Sequence, residues 1–324
     1  MQKAIKISIL SLLILVSFST AQAQKIHAIL CGATNVSDIG SGCKSSMTLM
    51  ENALTYVGSQ TGMEVEFTLL SGNDFIKDKI ETTINNLSVG SDDVIFFYST
   101  SHGFNYNNSV SRFTFLGAHP NKVEMTKSEL RKFGMSLEHD IYRPLLTKNA
   151  RLTVTLAEAC NTVVDLPAPS RYNAMNVNIT KRLKELFLEA KGSAISTSSV
   201  LDQRSWTDPE DGGIYTNMFI EAMNDGISSK KEANWDDVFN KTESLTVAYA
   251  EKEGLRGGQR PDSETNFHDT PISIKEEGKA STEEEAPKVE TKAKKGKKKH
   301  DYIAPKIRVK KEEGEEEEKE NDSY

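Results

Sequence analysis

The clearest structural signal in the sequence comes from two stretches, DVIFFYSTSHGF at residues 93–104 and RLTVTLAEACNT at residues 151–162. Each starts with a dense run of apolar and β-branched residues, which is typical of a buried strand, and ends in polar residues. Just past each run stands a chemically reactive residue, His102 in the first stretch and Cys160 in the second. The two stretches therefore predict two buried strands that each bring a reactive side chain to the strand's carboxyl end.

Three more apolar runs, at residues 25–31, 64–70 and 193–197, raise the number of candidate strands to five. Between the strands, apolar residues recur at spacings of three and four, which indicates amphipathic helices. Strands that alternate with helices predict an α/β fold whose mainly parallel sheet is covered on both faces. The residues at these helical spacings are Met47, Met50, Leu54 and Val57; Ile76, Ile80, Ile84 and Leu87; Leu183, Leu186, Phe187 and Ala190; Met218 and Ala222; and Trp235, Val238 and Phe239.

Residues 111–118 are expected to form part of a peripheral hairpin.

The positions of His102 and Cys160 point to nucleophilic chemistry. Parallel strands that follow one another in the chain are commonly neighbours, so the two residues are expected to face each other at one edge of the sheet. A thiol there can attack a carbonyl carbon while the imidazole passes a proton to the leaving amine. Gly103 allows a close backbone approach, so its N–H and that of Cys160 are candidates to hold the oxyanion.

These residues resemble the caspase–metacaspase superfamily, particularly the bacterial metacaspase-like peptidases. The resemblance runs from about Lys25 to about Ile274. It implies a three-layer α/β/α sandwich around a mainly parallel sheet of about six strands. It also implies that His102 is the general acid–base residue, Cys160 the nucleophile and Gly103 an oxyanion donor. The matching segments are IHAILC, IGSGCKSSMTLMENAL, FFYSTSHGF, LAEACNT, ISTSSVLDQRSWTDPEDGGIYTNMFIEAM and GGQRPDSETNFHDTPI.

The resemblance also implies a pocket for P1, the substrate residue whose carbonyl group is attacked. Metacaspases usually carry Asp two residues before the nucleophile, and this chain has Glu158 there. The position of a second pocket acid is occupied by Ser46. Because a buried carboxylate prefers a cationic partner, Glu158 predicts Arg or Lys at P1. The alternative is a strand-end carboxylate that only hydrogen-bonds the backbone. Ser198 and Asp202 are expected to continue the substrate-binding cleft.

Two segments are candidates for regulation. Asp208, Glu210 and Asp211 could bind calcium, as in some metacaspases, although a solvated turn is the preferred interpretation. Otherwise no cofactor and no metal site is predicted. Residues 161–178 contain two prolines and show no periodicity, which indicates an exposed loop, and Arg171 within it would suit self-cleavage.

The two ends of the chain differ from its middle. Residues 1–23 have the order of a signal peptide, with Lys3 and Lys6 before a short apolar run and a small-residue segment at the end. They predict a secreted or periplasmic protein without stable membrane insertion after cleavage, and a membrane anchor is the alternative. Residues 275–324 are rich in Lys and Glu and are expected to be disordered, which leaves residues 25–274 as the peptidase domain.

Composition excludes several other functions. The net charge of −7 indicates no nucleic-acid partner. Three cysteines are too few for a disulfide framework; Cys31 is expected in the core, and a bond between it and Cys43 is not favoured. The sequence thus predicts an exported cysteine endopeptidase that acts on proteins or peptides, with its oligomeric state unassigned. The alternatives are an inactive caspase-fold binding protein and a thiol acyl hydrolase or transferase that uses the same dyad.

Overall fold

A six-stranded sheet lies at the centre of the computed structural model, which describes residues 24–106, 111–161, 179–228, 233–255, 257–267 and 308–310. The strands are β1 Lys25–Gly32, β2 Glu64–Ser71, β3 Val94–Ser101, β4 Gly103–Phe104, β5 Phe115–Gly117, β6 Glu124–Thr126, β7 Gly134–Ser136, β8 Leu152–Ala159, β9 Gly192–Thr197, β10 Thr207–Asp208, β11 Gly212–Gly213, β12 Asp262–Asn266 and β13 Arg308–Lys310. The central sheet has the order β12-β9-β8-β3-β1-β2.

Five strands of this sheet are parallel and correspond to the five runs predicted from the sequence. The sixth, β12, pairs antiparallel with β9 at the edge. Its sequence, DSETN, contains no apolar residue, so hydrophobic patterning could not reveal it. The fold class implied by the resemblance, a mainly parallel sheet of about six strands between helices, is confirmed.

Helices cover both faces of the sheet, as predicted. Alternate residues of each strand point to opposite faces, so Phe96 packs with one group of helices and Phe97 with the other. The α-helices are α1 Gly40–Thr61, α2 Lys77–Asn86, α3 Lys127–Phe133, α4 Arg143–Leu146, α5 Ile179–Lys184, α6 Ile214–Ser228 and α7 Trp235–Lys252. Gly72–Asp74 form a 3₁₀ turn, and Leu137–Tyr142 and Glu185–Glu189 form π-helical turns.

Each face has its own hydrophobic core. On one side, Phe96 and Tyr98 belong to the same buried cluster as Leu54 of α1, Phe219 of α6 and Trp235 of α7. On the other side, the strand residues pack against α2 and the segment from Leu137 to Leu146. Because side chains are buried on both faces, β3 and β8 are buried over their whole length.

A small antiparallel sheet of order β4-β5-β7 continues from the end of β3. The hairpin predicted at residues 111–118 is therefore present, with β5 as the middle strand of three. This sheet fixes the chain directly after His102, because Gly117 N–H donates to the carbonyl oxygen of His102 at 2.9 Å.

The predicted signal peptide, residues 1–23, lies outside the described residues, and so does most of the charged tail. Within the tail, β13 pairs in parallel with β6, with Val309 opposite Met125. This strand falls in the single apolar island of the segment that was expected to be disordered. Across the described ranges, no helix combines the length and apolar character needed to span a membrane.

Candidate active site

His102 and Cys160 come from neighbouring strands. β3 pairs in parallel with β8, and their register sets Ser101 opposite Ala159. Both strands end at this pair, so the next residue of each leaves the sheet at the same edge. The imidazole and the thiol therefore lie on adjacent loops, as the order of the strands predicted.

The thiol of Cys160 is closed off from solvent. The residue is 2% exposed; its Sγ donates to the carbonyl oxygen of Ser205 at 3.1 Å and accepts the N–H of the same residue at 3.3 Å. Burial raises the pKa of the thiol to about 12, although the hydrogen bonding with Ser205 opposes this rise. In this arrangement burial favours the neutral thiol, and the bonding with Ser205 favours the thiolate.

His102 is held through one of its two ring nitrogens. Nε2 lies 3.1 Å from Oδ1 of Asp38, whereas Nδ1 is buried and has no hydrogen-bond partner in the described part of the chain. Asp38 was not among the residues predicted from the sequence. The available signal was its position in the loop after β1, whose carboxyl end lies beside that of β3.

Gly103 approaches the nucleophile's backbone very closely. A Cβ at this position would fall 2.7 Å from both Ala159 Cβ and Thr114 Oγ1 and would overlap the carbonyl oxygen of Cys160. Hydrogen bonds alternate along an antiparallel pair, and the bond between His102 and Gly117 leaves the N–H of Gly103 off the ladder with β5. The close approach therefore explains a glycine at this position, and the role of its N–H as an oxyanion donor stays a prediction.

Glu158 lies near the carboxyl end of β8, two residues before Cys160, and is only 4% exposed. Its Oε2 accepts hydrogen bonds from the hydroxyls of Ser46 at 3.3 Å, Tyr98 at 3.3 Å and Thr216. Its Oε1 is buried and has no hydrogen-bond partner among the described residues. Burial raises the pKa of this carboxyl to about 7, against the effect of the three hydroxyls. Near neutral pH the group is therefore divided between its charged and neutral forms.

A small pocket touches both Glu158 and Cys160. Its interior of about 10 Å³ is about the room that one water molecule needs. An arginine or lysine side chain is far larger, so the walls of this pocket have to move apart before a basic residue can enter. The other lining residues are Ile39, Cys43, Thr100, Ser101, Ala159, Ser205, Trp206 and Thr207.

Ser46 occupies the position where the resemblance implies a second acid. Its hydroxyl also accepts the N–H of Gly213 at 2.8 Å, which joins α1 to the start of α6. Gly212 has a left-handed φ of 78°, and a Cβ there would lie 2.8 Å from Ser46 Oγ. The glycine pair thus lets α6 begin directly against the Glu158 carboxyl group.

Two expected cleft residues are not brought to the pocket. Ser198 is fully buried, and its hydroxyl accepts the N–H of Ala159 and donates to the carbonyl oxygen of Ala159, both at 3.1 Å. It therefore supports the backbone just before Cys160 and does not line the small pocket described above. Asp202 is exposed, with a left-handed φ of 65° in the turn that Gln203 closes onto Val200.

The acidic loop proposed for calcium is organised as a turn. Oδ1 of Asp208 accepts the N–H of Glu210 at 2.7 Å and that of Asp211 at 2.8 Å. Over the described ranges, no three His, Cys, Asp or Glu side chains are grouped so that they could hold a metal ion.

All three cysteines are free and buried. Cys31 belongs to the core, as predicted. Cys43 accepts a hydrogen bond from Thr100 Oγ1 at 3.5 Å at the pocket wall. The proposed cleavage site at Arg171 lies outside the described residues.

Comparison with known proteins gives one family and a distant structural relative. The family model of the caspase domain matches residues 26–269. The crystal structure of Caspase-1 from Spodoptera frugiperda superposes with a TM-score of 0.44 at 12% sequence identity, over 76% of this chain and 89% of that chain. No curated protein matches the sequence.

Proposed function

The chain belongs to the caspase domain family, and on that premise we propose that it is an exported cysteine endopeptidase that cleaves proteins or peptides after Arg or Lys. Cys160 is the nucleophile and His102 the general acid–base residue. The observation that carries the proposal is the register of β3 and β8, which places these residues one step beyond paired strand ends.

The reaction follows from the groups at this edge. His102 takes the proton of the Cys160 thiol, and the sulfur attacks the carbonyl carbon of the scissile bond. The N–H groups of Gly103 and Cys160 hold the oxyanion. The carbon–nitrogen bond then breaks as the imidazolium gives its proton to the leaving amine, and a thioester remains on Cys160. A water molecule that gives a proton to His102 hydrolyses the thioester and restores the thiol.

Glu158 supports the preference for a basic P1 residue. Its Oε1 is buried without a hydrogen-bond partner among the described residues and belongs to a side chain that lines the pocket beside Cys160. An arginine or lysine would donate to this oxygen and hold the carboxyl group in its charged form. The three hydroxyls on Oε2 also suit a carboxyl group that only braces α6. In that case Glu158→Gln would leave the P1 preference unchanged.

Export and self-processing are supported by the sequence. Residues 1–23 carry the signal-peptide pattern, and Arg171 stands in the proline-containing segment after the nucleophile. A basic-selective enzyme would cut itself after Arg171. Mass spectrometry should then find this cut in the active chain but not in Cys160→Ala, and a fully active chain that stays uncut would refute self-processing.

The function is tested with fluorogenic peptides that end in Arg, Lys or Asp. We expect the purified chain to cleave after Arg and Lys and Cys160→Ala to cleave nothing, with calcium added and omitted in parallel. Cleavage after Asp alone would keep the dyad and contradict the role of Glu158. No cleavage of any peptide, even after limited proteolysis, would favour the inactive binding protein. Turnover of small thioesters or esters without peptide cleavage would favour the acyl hydrolase or transferase.

A further inference from the structure

Asp38 is the acidic side chain that contacts the imidazole of His102. Its Oδ1 lies 3.1 Å from Nε2, and the side chains are 26% and 2% exposed, respectively. An ion pair between two exposed groups contributes little, but a hydrogen bond to a buried ring is only weakly screened. Asp38 therefore acts on His102 from the solvent side while the ring stays inside the protein.

The loop that carries Asp38 is fixed at both ends. Ala33 N–H donates to the carbonyl oxygen of Thr100 at 3.0 Å, which ties the start of the loop to β3. The residues Val36 and Ile39, on either side of Asp38 in the chain, are each 2% exposed and belong to the core. The carboxylate is thus held in place by packing rather than by its own contact with His102.

The contact determines which ring nitrogen carries the proton. A carboxylate accepts hydrogen bonds but donates none, so Nε2 of His102 is the protonated nitrogen of the neutral ring. Nδ1 is then the unprotonated nitrogen, and it is the buried atom without a hydrogen-bond partner in the described part of the chain. The ring therefore presents a free base on the side away from Asp38.

We propose that Asp38 is a positioning residue that completes a Cys160–His102–Asp38 arrangement. It fixes the tautomer in which Nδ1 takes the thiol proton, and it stabilises the imidazolium that forms when Cys160 becomes a thiolate. This inference rests on the proposed dyad, because Asp38 acts on the reaction only through His102.

The test combines kinetics with a tautomer measurement that does not need turnover. Asp38→Asn removes the charge at constant size, and Asp38→Glu restores a carboxylate one methylene longer. Glu51→Gln is the matched control, because Glu51 is a partly buried acid in α1. Nitrogen NMR of the histidine-labelled full chain, with His102→Ala to assign the signal, reports which ring nitrogen is protonated.

We expect Nε2 of His102 to be protonated in the wild type and in Glu51→Gln, and a mixture of tautomers in Asp38→Asn. With a peptide substrate, Asp38→Asn should lower kcat by about 100-fold at unchanged KM and unchanged Tm, with partial recovery in Asp38→Glu. A wild-type ring protonated at Nδ1, or an Asp38→Asn variant that matches Glu51→Gln in tautomer and kcat, would overturn the inference. A fall in kcat that merely follows a fall in Tm would overturn it as well. If the wild type cleaves no peptide, the proposed function fails, and the tautomer measurement alone decides the role of Asp38.

Discussion

The Cα of Gly213 lies directly against the carboxyl group of Glu158, so that a Cβ at position 213 would overlap both carboxyl oxygens. Gly213 is the last residue before α6, and its N–H is bonded to Ser46. The first turn of α6 and the carboxyl group of Glu158 are therefore packed in direct contact, so neither can shift without the other.

Gly213→Ala should consequently destabilise the protein. The added methyl group has to displace a buried carboxyl group or the first turn of α6, at a cost of about 1–3 kcal/mol in the free energy of unfolding. Gly226→Ala is the control in the same helix, because the nearest atom to its Cβ would be 3.6 Å away. That substitution should stabilise the helix by about 0.5–1 kcal/mol. Denaturant unfolding measures the free energy of unfolding of both variants. Equal values for Gly213→Ala and Gly226→Ala would contradict the packing described.

The ionisation of Glu158 should make stability depend on pH. Its pKa is raised from 4.5 to about 7, so the folded chain holds a proton that the unfolded chain has released between these values. Stability therefore falls as pH rises through this window, and the loss is complete above about pH 7. Between pH 4.5 and 8, wild type should lose roughly 3 kcal/mol more than Glu158→Gln, because a tenfold change in an acid dissociation constant corresponds to about 1.4 kcal/mol. Parallel stability curves for the two chains would show that Glu158 does not titrate there.

Tyr98→Phe should shift the pH range over which Glu158 ionises, and over which stability falls, to higher pH. The substitution removes one of the hydroxyls that donate to Oε2, so the charged carboxylate loses more than the neutral acid and the pKa of Glu158 rises further. Tyr142→Phe is the matched control, because that buried hydroxyl bonds Ser193 at 2.8 Å on the other side of the sheet. Each variant should lose about 1 kcal/mol at pH 5, and only Tyr98→Phe should lose more at pH 8. An identical pH response of the two variants would refute the coupling of Tyr98 to Glu158.

The five parallel strands could be predicted from the sequence because each is a recognisable run of apolar residues. Runs such as VIFFYS in β3 are apolar on both faces, which is what burial between two helical layers demands. The polar edge strand β12 is held by backbone pairing with β9, and backbone bonds leave no trace in side-chain pattern. That is why patterning found five strands and only the resemblance implied about six.

Some residues of the candidate site could likewise be predicted from the sequence, and others could not. His102 and Cys160 could be predicted because each directly follows a strong strand. Among the partners of Glu158, Ser46 was placed in the same pocket by the resemblance. Tyr98 and Thr216 could not be predicted as partners, because they come from distant elements that only the folded chain brings together. The bonding of the Ser198 hydroxyl to the backbone of Ala159 could not be predicted either, because local sequence does not reveal which backbone groups a hydroxyl meets.

Cys160 is proposed to be a nucleophile that His102 activates in front of a pocket for basic residues. The experiment that addresses this uses a peptidyl-arginine chloromethyl ketone, whose adduct is located by mass spectrometry. We predict one adduct, on Cys160 and not on Cys31 or Cys43, that forms much more slowly in His102→Ala and Glu158→Gln and at an unchanged rate in Glu51→Gln. The matching aspartyl reagent should react slowly with the wild type. An unlabelled Cys160, or labelling that is as fast without His102 as with it, would contradict the account.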